Sequence, residues 1–212
     1  MRIHRIPRWI HSWLNGFTWR LPQKVPTLYL TFDDGPISLT NWVLDVLKDF
    51  QAQATFFCVG ENIVQNPHIF RRIISHEHAV GNHTYNHLSG WRTSTRRYLK
   101  NAELCQAAIE NHGIGCHLFR PPYGRITPMQ AKALRQRYQL IMWEVLTCDY
   151  DAALSQEACL KNSIAATQSG SIVVFHDSFK AEKNLRYVLP RYLAHFAKLG
   201  FQFKGLSNPS VI

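Results

Sequence analysis

The chain has 212 residues, 46% hydrophobic and 18% charged, a globular composition long enough to bury its own core and unlike that of a disordered segment. Its formal net charge is +10, with 11 histidines besides, yet no Lys/Arg-rich run or nucleic-acid-binding motif accompanies it, so the charge reads as a solvated basic surface and nucleic acid is not expected as a partner. Five cysteines, Cys58, Cys105, Cys116, Cys148 and Cys159, are odd in number and none has CxxC spacing, which argues against a disulfide framework or a structural zinc cluster and points to a reducing compartment.

Residues 1–24 form a basic segment carrying Arg2, Arg5, Arg8, Arg20 and Lys24 and no acid. Ile6, Trp9, Ile10, Trp13, Leu14 and Phe17 fall at roughly helical spacing, which makes the segment amphipathic. It has no continuous apolar core of the signal-peptide kind and no apolar stretch of about 18 residues. The expectation is a cytoplasmic protein whose N-terminal segment covers one end of the domain, with peripheral contact to a membrane surface as the alternative.

The rest, residues 25–212, reads as one domain. Thr27–Phe32 is a strand, and Asn41–Phe50 a helix with Val43, Val46, Leu47 and Phe50 on one face. Ala54–Val59 is a second strand. Asn66-Pro67 caps a helix that turns Ile69, Phe70, Ile73 and Ile74 inward. His78–Asn82 is a short third strand, followed by a long helix over Ser94–Asn111. His117–Arg120 is a fourth strand, and Thr127-Pro128 starts another helix. Gln139–Leu146 is a fifth strand, Ser155–Thr167 a helix and Ser171–His176 a sixth strand. Lys183–Leu199 is the last helix, bent at Pro190 and ended by Gly200, before a seventh strand at Phe201–Lys204. Short, unalternated apolar runs alternating with helices predict a parallel sheet. The expected class is α/β: a distorted or incomplete (β/α) barrel with about seven parallel strands, with a doubly wound open sheet as the competitor.

The reactive residues fall at the ends of these strands. Asp33 and Asp34 follow the first, His83 and His87 the third, Arg120 ends the fourth, Asp149 follows the fifth and His176 ends the sixth. In a parallel barrel all of these ends open on one face, where active sites are built. Two adjacent carboxylates after a buried strand repel each other and call for a cation or a proton. His83 and His87, at i and i+4, would face the same way on one helical turn. The residues between them lack the glutamate of HExxH, so the metalloprotease reading fails. Two histidines and a carboxylate leave open positions on a metal, as a catalytic ion requires; zinc is the default, and iron, cobalt or nickel also suit the set. Arg120, in Phe119-Arg120-Pro121-Pro122-Tyr123-Gly124, is expected to orient a carboxylate bidentately. Asp149 can hold His176 as a second acid orients an imidazole.

At this point the motifs are recognisable. The chain resembles the polysaccharide deacetylase family with the NodB-homology domain, carbohydrate esterase family four. Thr31-Phe32-Asp33-Asp34-Gly35-Pro36, His83-Thr84-Tyr85-Asn86-His87, Arg120-Pro121-Pro122-Tyr123, Trp143 through Tyr150, and Val174-Phe175-His176 look like its five motifs in order, over about residues 27–205. The resemblance implies a distorted (β/α) barrel and the metal-dependent removal of N-acetyl groups from amino sugars of a polysaccharide or oligosaccharide. It implies Asp33 as general base, Asp34, His83 and His87 as ligands of a divalent metal, and Arg120 as the partner that orients Asp33. It further implies that the Tyr123 amide helps hold the oxyanion and that Asp149 tunes His176, the general acid. Two positions depart from the pattern: Tyr150 stands for the usual tryptophan, with Asp151 adjacent as an alternative partner, and Val174 for the usual leucine. Both bear on acyl-group preference. The competing readings are an acetylxylan esterase or ring-opening amidase on the same scaffold, and a non-catalytic protein that binds a glycan or a membrane surface.

Overall fold

A computed structural model describes residues 3–13 and 16–206; Leu14 of the amphipathic stretch, Arg2 and residues 207–212 lie outside the described residues. Among the described residues nine strands form one sheet in the order β1-β6-β5-β4-β3-β2-β8-β7, with β9 against β2. They are β1 (Phe17–Thr18), β2 (Thr27–Asp33), β3 (Thr55–Cys58), β4 (Ala79–Asn82), β5 (Leu118–Phe119), β6 (Gln139–Ile141), β7 (Val145–Leu146), β8 (Ile172–His176) and β9 (Gln202–Lys204). Every pairing between these strands is parallel. The helices are α1 (Arg8–Trp13), α2 (Ser38–Asp49), α3 (Gly60–Gln65), α4 (Pro67–Ser75), α5 (Thr95–Glu110), α6 (Pro128–Leu134), α7 (Gln156–Ala166) and α8 (Glu182–Lys198). This is the distorted (β/α) barrel expected from the alternation of elements.

The count of strands differs from the expected seven at two places. Phe17–Thr18 is too short for any periodicity to register, yet it pairs with Leu140 and Ile141. The expected fifth strand, Gln139–Leu146, is two strands: β6 pairs with β5, and β7 with β8 on the opposite flank of the sheet. Met142-Trp143-Glu144 between them carries the chain across the gap. The Met142 amide donates to Thr18 O at 2.8 Å and the Glu144 amide to Ile172 O at 3.1 Å. The barrel is therefore closed by a stretch of chain rather than by a continuous ladder. Arg5 and Arg20 meet the buried Glu144 carboxylate at 3.1 and 3.3 Å, which fastens the N-terminal segment to this seam.

Strand alternation sorts the side chains into two layers. Leu28, Leu30 and Phe32 of β2, with Val173 and Phe175 of β8, point outward into a core shared with α2, α7 and α8. Tyr29 of β2, Phe57, Leu118, Ile141 and Ile172 fill the barrel interior. Local capping agrees with the sequence at α6, where Thr127 and Gln130 form a reciprocal capping box, and Ser155 accepts from the Ala158 amide at α7. At α4 Asn66 holds the N-cap position before Pro67, but its side chain makes no capping bond, donating instead to Pro36 O and Asn62 O. Helix α3 was not expected, since it interposes only six residues between β3 and α4. Helix α8 continues through Pro190.

Candidate active site

The alternation that fills the barrel also delivers its reactive groups. On β2, Asp33 follows Tyr29 and Thr31 on the inner face. On β8, His176 follows Ile172 and Val174, and Asp33 and His176 are direct register partners. Arg120 continues the inward series begun by Leu118. The structure thus gathers Asp33, Asp34, His83, His87, Tyr123 and His176 around one cleft of about 550 Å³, with Arg120 and Asp149 directly behind it. That is an ordinary size for a small-molecule site.

Arg120 is fully buried. Its Nη1 donates to Asp33 Oδ1 and to Thr31 Oγ1, both at 2.7 Å, while Nη2 donates to Met142 O at 2.9 Å. The guanidinium lies over the Phe57 ring, 4.1 Å from its centroid. The bidentate grip expected from the sequence is therefore corrected: Asp33 receives one guanidinium contact. The second nitrogen is spent on the carbonyl of the bridging segment, because Arg120 must also satisfy the seam of the barrel. Burial pulls the arginine below its ordinary value while the Asp33 charge opposes that shift.

Asp34, His83 and His87 offer ligand atoms that all lie within 4.8 Å of one another. His83 donates from Nδ1 to Arg120 O at 2.8 Å, and His87 Nδ1 lies 3.1 Å from the Tyr123 hydroxyl. Both rings thereby turn Nε2 toward Asp34 Oδ1, at 3.9 and 3.2 Å. Burial pushes the His83 imidazole down to about 4, which keeps it neutral as a ligand must be. Burial is the largest single influence and works against the Asp34 charge, but the His87 hydrogen bond together with the charges of His176, His83 and His87 outweighs it and holds this carboxyl well below the usual carboxylate range. Two imidazoles anchored through Nδ1 and one ionised carboxylate are a donor set that fits a divalent cation. The expected helical turn is absent. His83–His87 is a loop in which Thr84 and His87 have φ of 64° and 53°, and the two rings meet because the backbone reverses.

His176 donates from Nδ1 to Asp149 Oδ1 at 2.8 Å, leaving Nε2 to face the cleft. Burial alone would lower this imidazole. The Asp149 charge and hydrogen bond reverse that and raise it to about 9, helped by Asp34 and Asp33. Tyr150 packs edge-on against His176, and with Trp143, Leu146 and Val174 it forms an apolar wall. The partner on His176 is Asp149, while the Asp151 carboxylate accepts from the Ala153 amide.

Several supporting residues escaped the sequence. Asp177 is fully buried, accepts the Gly35 amide at 3.1 Å and bonds Thr40 Oγ1, so it braces the turn after Asp33 and Asp34 from behind. Burial pushes its carboxyl up to about 8. Asn101 Oδ1 accepts the amides of Tyr85 and Asn86, and Asn82 Oδ1 that of Thr84, which fixes the histidine loop. Asn184 holds the carbonyls of Asp149 and Asp151. The adjacency of Asp177 to His176 was the one available signal. The asparagines sit in patterns common to any helix or loop. Backbone strain is also concentrated here: Asp34, Thr84, His87, Tyr123 and Cys148 are five of the seven non-glycine residues with positive φ among the described residues.

Comparison with known proteins agrees with this geometry. A family model described as polysaccharide deacetylase matches residues 20–139. The peptidoglycan-N-acetylglucosamine deacetylase of Bacillus cereus is 30% identical over 194 residues, covering 90% of this chain and 91% of that protein. The chitooligosaccharide deacetylase of Azorhizobium caulinodans is 31% identical over 163 residues, covering 74% of this chain and 77% of that protein. The crystal structure of the Bc1960 peptidoglycan N-acetylglucosamine deacetylase aligns with a TM-score of 0.86 at 28% identity over 94% of each chain. With this match, and with all five motifs meeting at one cleft, the chain belongs to the polysaccharide deacetylase family.

Proposed function

We propose that this protein is a metal-dependent hydrolase that removes N-acetyl groups from the amino sugars of a glycan, releasing acetate. The observation that carries the reading is the placement of Asp33 and His176 as register partners, flanking the Asp34–His83–His87 group. A base and an acid stand on neighbouring strands, beside a donor set for a divalent ion.

Asp34, His83 and His87 would hold that ion, with zinc as the default and cobalt or nickel as alternatives; when bound, it supplies the Lewis acidity that polarises the acetamide carbonyl and makes water a nucleophile near neutral pH. Asp33, oriented by Arg120, takes a proton from the attacking water. The Tyr123 backbone amide donates to the carbonyl oxygen as negative charge builds there. His176 gives its Nε2 proton to the sugar nitrogen as the C–N bond breaks, so a free amino sugar and acetate leave. The apolar wall of Trp143, Leu146, Tyr150 and Val174 suits an acetyl methyl group.

The test is acetate release from chitooligosaccharides, peptidoglycan fragments and acetylated xylan, with defined metals returned to chelator-treated protein. Acetate from an amino sugar, dependent on the metal, is the expected result. Hydrolysis of acetylated xylan with none from any amino sugar would replace this reading with an O-acetyl esterase.

A further inference from the structure

The carboxylates on the floor of the cleft each face a basic partner among its own residues. Asp33 is paired with Arg120, Asp149 with His176, and Asp34 faces two imidazoles. The rim is not balanced. Two further cations line the cleft, Arg125 and Lys180, and among the described residues neither has a carboxylate within ion-pair distance. They stand on different walls. Arg125 belongs to the wall that carries Tyr123 and His87, and Lys180 to the wall that carries Tyr150 and His176.

Both cations are held at the rim rather than left to wave in solvent. The Arg125 guanidinium lies 5.4 Å from the Trp91 ring and 5.8 Å from the Tyr123 ring. Its backbone is fixed at both ends: its amide donates to Pro122 O and its carbonyl accepts the Gly90 amide, each at 3.0 Å. Trp91 is itself fastened by a bond from Nε1 to Ile126 O at 3.2 Å. Lys180 Nζ lies 5.5 Å from the Tyr150 ring. Stacking on aromatic faces orders a long cationic side chain before a ligand arrives, so less entropy is lost when it binds one.

We propose that the rim selects anionic glycans: Arg125 and Lys180 bind carboxylates carried by sugars or substituents that flank the N-acetylated residue. The proposal rests on the deacetylase reading and names the substrate class for that site. The net charge of +10 acts in the same direction at longer range, drawing an acidic polymer toward the cleft. The aromatic rings of Trp91 and Tyr123, 66% and 60% exposed, offer flat faces for sugar rings beside the Arg125 charge.

The experiment compares a neutral N-acetylglucosamine tetramer with a tetramer of equal length in which alternate sugars carry a lactyl carboxylate. The readouts are equilibrium binding to the protein as purified and kcat/KM for acetate release. The anionic tetramer should bind more tightly and turn over with about tenfold higher kcat/KM, taking about threefold for each partly exposed ion pair. This preference should shrink as salt rises toward about 1 M, where charges are screened within about 3 Å. Arg125→Gln and Lys180→Gln should each reduce the anionic-to-neutral ratio by about threefold, the double variant should bring it near one, and Arg125→Glu combined with Lys180→Gln should invert it. Arg125→Lys should restore most of it. Equal binding and turnover of the two tetramers, or a ratio unmoved in the double variant, would overturn charge selection. Preferential binding of the anionic tetramer, lost in the double variant but with no acetate from either, would sustain charge selection and overturn the deacetylase reading instead.

Discussion

Asp149 grips His176 twice: one carboxylate oxygen accepts from the imidazole Nδ1 and the other from the backbone amide of the same residue, both at 2.8 Å. Ring and main chain are thus held by one side chain, and the proton on Nε2 is aimed by a fixed frame. The same contact sets the proton affinity, because a buried imidazole without that carboxylate would lose its charge.

The pH dependence follows in sign. His176 is raised to about 9 and must be protonated to act as general acid, so activity should be lost as pH rises through about 9. Asp149→Asn removes the charge that does the raising, and the alkaline limb should move to lower pH. A kcat/KM profile of the two proteins checks this; an unmoved limb would assign it to another group.

Metal and acid should separate by substitution. His83→Ala and His87→Ala should lose metal and activity together, and Asp34→Asn should bind the ion more weakly, since a neutral amide replaces a charged ligand. His176→Ala and Asp33→Asn should keep the metal yet lose activity, by roughly 10²–10⁴-fold for the missing acid. Metal content per chain and acetate release are to be measured on the same preparations. A metal-free His176 variant beside a metal-loaded His87 variant would reverse the assignment. Chelation should abolish activity, and zinc or cobalt should restore it.

Arg120→Leu tests the buried pair. It leaves the Asp33 carboxylate inside the barrel without its counter-charge and frees the Met142 carbonyl at the seam. Loss of one partner of a buried ion pair costs about 3–5 kcal/mol, readable by denaturant unfolding. The double variant Arg120→Leu/Asp33→Asn should recover part of that stability but no activity. Equal stability of the single and double variants would show that the charge is not what Arg120 compensates.

Asp177 should matter through shape rather than charge. Asp177→Asn keeps an oxygen for the Gly35 amide, whereas Asp177→Ala leaves that buried amide unpaired, a loss of about 1–3 kcal/mol. Gly35→Ala attacks the same contact from the other side, because a Cβ there would stand 2.0 Å from Asp177 Oδ2. Both Asp177→Ala and Gly35→Ala should weaken metal binding by moving Asp34, while Asp177→Asn should stay close to wild type. Metal titration of the three proteins checks it.

The sequence by itself determined which residues end strands, and therefore which could meet. Hydrophobic periodicity is a local property, so Thr27–Phe32 and Ser171–His176 announce buried strands from their own composition, and Asp33 and His176 stand at their ends. The cap at Thr127 and the proline starts of α4 and α6 are local in the same way. What the chain does between elements was not legible. The left-handed conformations of Asp34, Thr84 and His87 are disfavoured in isolation, and Asp177 and Asn101 brace their loops from other parts of the chain, with Asn82 bonding the Thr84 amide from two residues away. Likewise nothing near Gln139–Leu146 signals that the strand divides; the division arises because its two halves pair with β5 and β8 on opposite flanks. Arg120 reaches Asp33 across 87 residues, and whether that grip is single or bidentate depends on the Met142 carbonyl that competes for the same guanidinium. Tertiary packing alone brings such partners together, because a hydrogen-bonding group buried away from water must take whichever partner the fold sets beside it.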